Sequence, residues 1–226
     1  MVTDASACTP PRRTQAMRRD ATISRLLTAT ATCLDIRGYS ATTTAAICAE
    51  AGVSQGALFR HFPTRMALLV ATAEQVAEQN VAAFRALVDE PVADVEQLTR
   101  VLHHLRSIVL SGANQTWREL LVAARSDPAL HVAMRPARQQ FQAQMLATAA
   151  DLWGDLMPTE ERAALLSIVV NFLDGLAFSS LDPTSEPGAP GRTVDAALGL
   201  LAQMIVHRYL PTDSTAPASD PAQENR

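Results

Sequence analysis

The apolar residues of this chain recur three and four positions apart almost from end to end. Only an α-helix places such positions on one face, so the sequence is constrained to an all-α fold. From Met17 to Arg37 the repeat runs through Ile23, Leu26, Leu27 and Leu34, and Gly38-Tyr39 ends it. Thr42-Thr43-Thr44 follows, with Thr43 the expected N-cap of a short helix carrying Ile47, Cys48 and Ala51. Gly52 supplies a sharp turn. Ser54 caps the next helix, and Val53 is placed to staple onto Leu58. That helix ends near His61-Phe62, and Thr64 caps a fourth. Longer helices are expected at 65–88, 92–111, 114–126, 128–155, 159–180 and 192–210. Breaks fall at Pro91, Gly112, Pro128, Pro158 and the stretch 181–191, and Pro136 should bend or restart the fourth of these helices.

Composition removes several classes of function. All nineteen basic residues are Arg, so chemistry that needs a lysine, from Schiff bases to a Walker A phosphate loop, is excluded. No apolar run approaches the roughly 18 residues of a membrane span, and the N-terminus lacks the apolar region of a signal peptide. A soluble, cytoplasmic chain without membrane partners is expected. Cys8, Cys33 and Cys48 make an odd count at spacings that match no zinc pattern. Cys33 and Cys48 read as reduced packing residues, and no metal or other cofactor is expected.

Net charge is −4 overall, which by itself argues against nucleic acid. The distribution says otherwise. Residues 1–66 hold eight Arg against four acids, a net of +4, while the remainder carries −8. Fields are screened beyond about 10 Å, so a small basic head on an acidic body can still attract phosphate.

Two helices joined by a tight Gly turn let the second project its first residues into a DNA major groove. On residues 55–61 the polar groups Gln55, Arg60 and His61 should point outward while Leu58 and Phe62 face the core. Gln55 suits bidentate contact with an adenine edge. Gly56 and Ala57 keep the helix tip slim, and the backbone N–H groups that start the two helices at Thr44 and Gln55 favour phosphate.

The run Gly38-Tyr39…Thr43-Thr44…Ile47…Ala51-Gly52-Val53-Ser54-Gln55-Gly56-Ala57-Leu58-Phe59-Arg60-His61-Phe62, continued by Pro63-Thr64-Arg65-Met66-Ala67-Leu68-Leu69, resembles the DNA-binding domain of the tetracycline-repressor (TetR) family. The resemblance covers about a quarter of the chain. It implies phosphate contacts from Thr44, Phe59, His61 and Arg65, and base or groove contacts from Gln55, Gly56, Ala57 and Arg60. Two positions depart from the family pattern: Phe59 stands where Tyr is usual and lacks its hydroxyl, and Arg65 replaces the commoner Lys. Four regions are expected: a flexible arm (1–13), a three-helix helix-turn-helix DNA-binding domain (14–66), a helical ligand-binding and dimerisation domain (67–210) and a disordered tail (211–226).

The same residues spell a competing pattern. Gly52-Val53-Ser54-Gln55-Gly56 is G-x-S-x-G, which would make Ser54 a hydrolase nucleophile if a buried strand preceded it. Residues 45–51 are helix-forming and lack the β-branched run of such a strand. Ser54 is therefore read as a helix cap, with no catalytic residue in the chain. A further alternative is a helical interaction module whose head binds protein instead of DNA.

In 159–180 and 192–210 the apolar faces are wide enough for burial on more than one side: Leu165, Val169, Phe172 and Leu176 lie beside Leu166, Val170 and Leu173, and Leu198, Leu201 and Ile205 are joined by Leu200 and Met204. A central core helix explains this, as does a homodimer interface built from these two helices, which the resemblance implies. The resemblance also implies a pocket for an unidentified small-molecule effector between body helices, apolar with a few polar anchors. The candidates are His104, Trp117, Phe141, Met145 and Asn171. The expected function is a sequence-specific transcriptional regulator, a repressor released from double-stranded operator DNA by that effector.

Overall fold

The computed structural model describes residues 15–87, 92–153, 157–179 and 189–210. Every regular element among them is helical: α1 (Gln15–Ala41), α2 (Thr44–Ala51), α3 (Gln55–His61), α4 (Arg65–Arg85), α5 (Val95–Val109), α6 (Gly112–Ala123), α7 (Pro128–Ala133), α8 (Arg135–Trp153), α9 (Thr159–Ser179) and α10 (Ala189–Tyr209). The all-α expectation holds. The span 128–155 is two helices, with Met134 between them and Pro136 in the first turn of α8, where a missing N–H disrupts nothing. The last helix starts at Ala189 instead of 192. The expectations for the arm, Cys8, Pro91, residues 181–188 and the tail lie outside the described residues. No helix among the described residues is long and apolar enough to cross a membrane.

Contacts divide the chain into two compact units. Unit 1 comprises the chain up to Val76 together with Thr116–Arg135; unit 2 comprises Ala77–Gln115 and the chain from Pro136 onward. Helix α4 is continuous through the division at Val76.

In unit 1, α2 packs on α1 and on α3. Leu26, Ile47, Leu58 and Leu68 are completely enclosed, and Val53 packs on the same cluster as Leu58, as the staple reading requires. Burying side chains of this size contributes roughly 1.5–3 kcal/mol each. Cys33 and Cys48 are free thiols inside this cluster, and burial pushes both thiols up from their ordinary pKa. In unit 2, α5 packs on α9 and α10 around Leu98, Leu102, Leu173 and Leu198.

Both turns of the head are made by glycine. Gly52 closes α2 in the left-handed conformation (φ 62°, ψ 40°), and Gly38 interrupts α1 at φ 73°, ψ 172°, a region open almost only to glycine. A Cβ on Gly38 would also stand 3.2 Å from Glu119 Oε1.

Candidate nucleic-acid interface

The caps anticipated from the sequence are made. Thr43 Oγ1 accepts from the Ala46 amide at 3.2 Å, Ser54 Oγ from the Ala57 amide at 3.2 Å, and Thr64 Oγ1 from the Ala67 amide at 3.0 Å. Ser54 therefore sits between two helices with its hydroxyl engaged as a cap. The segment before it is α2, so the G-x-S-x-G spelling lacks the strand an elbow needs.

Helix α3 presents a slim, polar tip. Gln55, Gly56 and Arg60 are exposed, Ala57 and His61 are partly exposed, and Leu58 and Phe62 are buried. Phe59, a large apolar residue, leaves 45 % of its surface in solvent. Thr44, the first residue of α2, is partly exposed. These residues were all candidates from the sequence. The structure adds neighbours from the start of α1. Arg60 and His61 line a groove of about 630 Å³ whose other wall is the start of α1, with Gln15, Arg18, Arg19 and Thr22. Three guanidinium groups and an imidazole face it, and no carboxylate among the described residues does. A cleft of one charge sign concentrates its field and favours a polyanion.

Arg65 behaves differently. Its Nε donates to the Thr42 carbonyl at 2.7 Å, an Nη2 N–H donates to the Tyr39 carbonyl at 2.6 Å, and the guanidinium lies 4.5 Å from the centre of the Tyr39 ring. Any phosphate contact it makes must use its remaining N–H groups. Its local effect is to fix the turn that leads into α2.

That turn is held from a second side within unit 1. The Tyr39 amide donates to Glu119 Oε1 at 2.6 Å, and the Tyr39 hydroxyl donates to Asp127 Oδ2 at 2.6 Å. Asp127 also caps α7 through Oδ1, which accepts from the Leu130 amide at 3.0 Å. The Tyr39 bond, followed by those from the backbone, holds the Asp127 carboxyl below the ordinary aspartate range; burial and then the Asp127 bond push the Tyr39 phenol up. This clamp joins residues about eighty apart in sequence, and periodicity carries no sign of it.

Unit 2 contains an apolar cavity of about 30 Å³. Its walls come from α4 (Phe84), α5 (Leu98, Leu102), α8 (Ala149), α9 (Leu165, Val169) and α10 (Ile205) among others, with Arg162 the single charged residue among the described wall residues. None of the five ligand candidates lines it. His104 is exposed with Nδ1 3.0 Å from the Arg100 carbonyl, and Asn171 is exposed with Nδ2 donating to the Ser167 carbonyl at 2.7 Å. Trp117 is buried in unit 1, Phe141 is partly buried on α8, and Met145 packs against the unit 2 core. Helical periodicity identifies an apolar face, not which of several such faces borders a void. No group of His, Cys, Asp and Glu among the described residues could hold a metal ion.

Comparison with known proteins points the same way as the geometry. Residues 26–72 match the family model of bacterial regulatory proteins of the tetR family. The chain is 36% identical over 166 residues to an HTH-type transcriptional regulator of Mycobacterium bovis, covering 73% of this chain and 85% of that protein. It is 30% identical over 177 residues to the HTH-type transcriptional regulator CymR of Pseudomonas putida, covering 76% and 85%. The solved structure of the multidrug binding protein EbrR complexed with imidazole superposes with a TM-score of 0.55 at 25% identity, covering 85% of this chain and 97% of that one.

Proposed function

Because the chain belongs to the tetR family and is thus a DNA-binding transcriptional regulator, we propose that it is a cytoplasmic repressor which a small-molecule effector releases from its operator. The observation that carries this reading is the division of labour within one chain. Unit 1 holds a basic groove beside a slim helix tip, unit 2 holds an apolar cavity, and α4 supplies residues to both units. The imidazole complex of EbrR supports a small organic effector.

In this reading residues 14–66 form the DNA-binding domain and 67–210 the ligand-binding and dimerisation domain. Gln55 reads an adenine edge, and Gly56 and Ala57 allow close approach with Arg60 on the groove wall. Thr44, His61, Arg18 and Arg19 meet phosphates, Arg65 acts with them while holding the turn before α2, and Phe59 makes apolar contact with the groove. Two copies are required. On α9 Ile168, and on α10 Leu200 and Met204 one turn apart, expose about 60% of their surfaces. Such a stripe is stabilised by a second copy, and paired heads read half-sites about 34–36 Å apart.

Effector and operator then compete through two states of the dimer, so each must weaken the other by the same factor, typically 5–150-fold. The test begins with selection of binding sites from random duplex DNA, which should recover a near-palindrome. Cell-extract metabolites are then screened for release of that duplex. Selection of a single unrepeated half-site, or an effector whose affinity is the same with and without operator, would overturn the proposal.

A further inference from the structure

The wall of the unit 2 cavity carries one partly buried guanidinium, and its inner donor has no acceptor among the described residues. All of its lining residues except Arg162 are Phe, Leu, Ile, Val or Ala. Arg162, near the start of α9, donates one bond from Nη2 to the Met157 carbonyl at 3.1 Å. Its Nε is buried and donates to no atom among the described residues. No carboxylate of the described residues pairs with it. The adjacent Glu161 is engaged elsewhere, accepting from the Tyr209 hydroxyl at 2.7 Å and lying 3.9 Å from Arg208.

A guanidinium has five N–H donors and no acceptor, so an anion is its natural partner. A buried donor without an acceptor is unfavourable, here the Nε of a side chain that is otherwise only partly buried. An apolar residue at 162 would make a better wall for the empty protein. The position is best matched by a ligand that brings its own negative charge.

We infer that the cavity takes a small apolar anion, a carboxylate on a hydrocarbon body, with the carboxylate on Arg162 and the body among Leu102, Leu165 and Val169. This rests on the reading of unit 2 as the effector-binding region. Planar N–H pairs of a guanidinium match the two oxygens of a carboxylate, which gives the charge both a partner and an orientation. The cavity of about 30 Å³ has room for about one water molecule, so the body of the ligand must spread the walls. Phe84 is one of those walls and stands on α4, which puts the widening on the helix that continues into unit 1.

The experiment is titration of the full chain by calorimetry with octanoate and cyclohexanecarboxylate, each beside its neutral amide, octanamide and cyclohexanecarboxamide. Each anion is expected to bind at least about tenfold tighter than its amide, as a charge-assisted bond of this kind implies. Arg162→Met should bring the two affinities together, and Arg162→Lys should keep part of the preference. Arg162→Met should also melt no lower than the parent, because it removes a buried donor without an acceptor from an apolar wall. Equal affinity for anion and amide in the parent would overturn the inference, as would a preference that survives Arg162→Met or the absence of saturable binding by either anion. Operator DNA separates this from the broader reading. An anion that binds through Arg162 and leaves operator affinity unchanged would sink effector release and keep the inference. Release by amide and anion alike would do the reverse.

Discussion

At the scale of single residues, Gln55 and Arg18 are expected to fail in different ways although both belong to the head. Gln55 is exposed at the tip of α3 and carries a donor and an acceptor that match one base. Gln55→Ala should cost about 1–3 kcal/mol of discrimination at one base pair per half-site and leave binding to scrambled duplex nearly unchanged. Arg18, on the wall of the groove, offers charge alone. Arg18→Ala should weaken every duplex alike and lower the slope of log affinity against log salt by about 1 per head. Fluorescence anisotropy on the selected site and a scrambled site, at several salt concentrations, separates the two. If both variants weakened both duplexes equally, the assignment of Gln55 to base reading would be wrong.

Among the elements, the turn between α1 and α2 is the most heavily constrained piece of the head. Gly38 provides its backbone, Arg65 ties two of its carbonyls, and Glu119 and Asp127 hold Tyr39 from α6 and the cap of α7. Gly38→Ala should cost about 1–3 kcal/mol from the backbone conformation alone. The 3.2 Å approach to Glu119 adds to that, and urea unfolding reads the sum. The clamp also makes stability depend on pH. Asp127 is held below the ordinary aspartate range, so its contribution is complete above the unfolded pKa of about 4 and is lost as pH falls through the folded value. Tyr39 is raised, so its contribution is complete below an unfolded pKa of about 10 and is lost as pH rises through the folded value. Tyr39→Phe should move the Asp127 carboxyl up toward the ordinary range in an NMR titration and reduce the loss of stability on acidification. An unchanged Asp127 titration in that variant would show that the bond is not made in solution.

For the whole molecule, the exposed apolar stripe of α10 is the feature a monomer explains least. Leu200 and Met204 leave 59% and 62% of their surfaces in solvent, while Leu198 and Ile205 on the same helix are buried. Introducing charge by Leu200→Glu together with Met204→Glu should spare the unit 2 core and disrupt pairing between copies. Sedimentation should then show a single-chain species with parental helix content. Its operator affinity should fall toward the non-specific range of about 10⁻⁴–10⁻⁶ M at physiological salt. A variant that still sediments as a dimer would move the interface to another face.

Features that depend on near neighbours are legible in the order of residues. Helical class, the caps at Thr43, Ser54 and Thr64, the glycine turns and the outward set on α3 all follow from spacings of a few residues, because a helix repeats every 3.6 residues and its ends need local acceptors. Features that depend on distant residues emerge only when the helices pack. Packing brings the start of α1 beside Arg60 and His61, and it turns Arg65 inward onto Tyr39. It also sets Asp127 against a hydroxyl 88 positions away. In the sequence Arg162 follows Glu160 and Glu161 and reads as one more charge in a helical first turn. Only the packing of α4, α5, α8, α9 and α10 leaves it facing an apolar void, because a cavity belongs to the space between helices and is encoded on no single one of them.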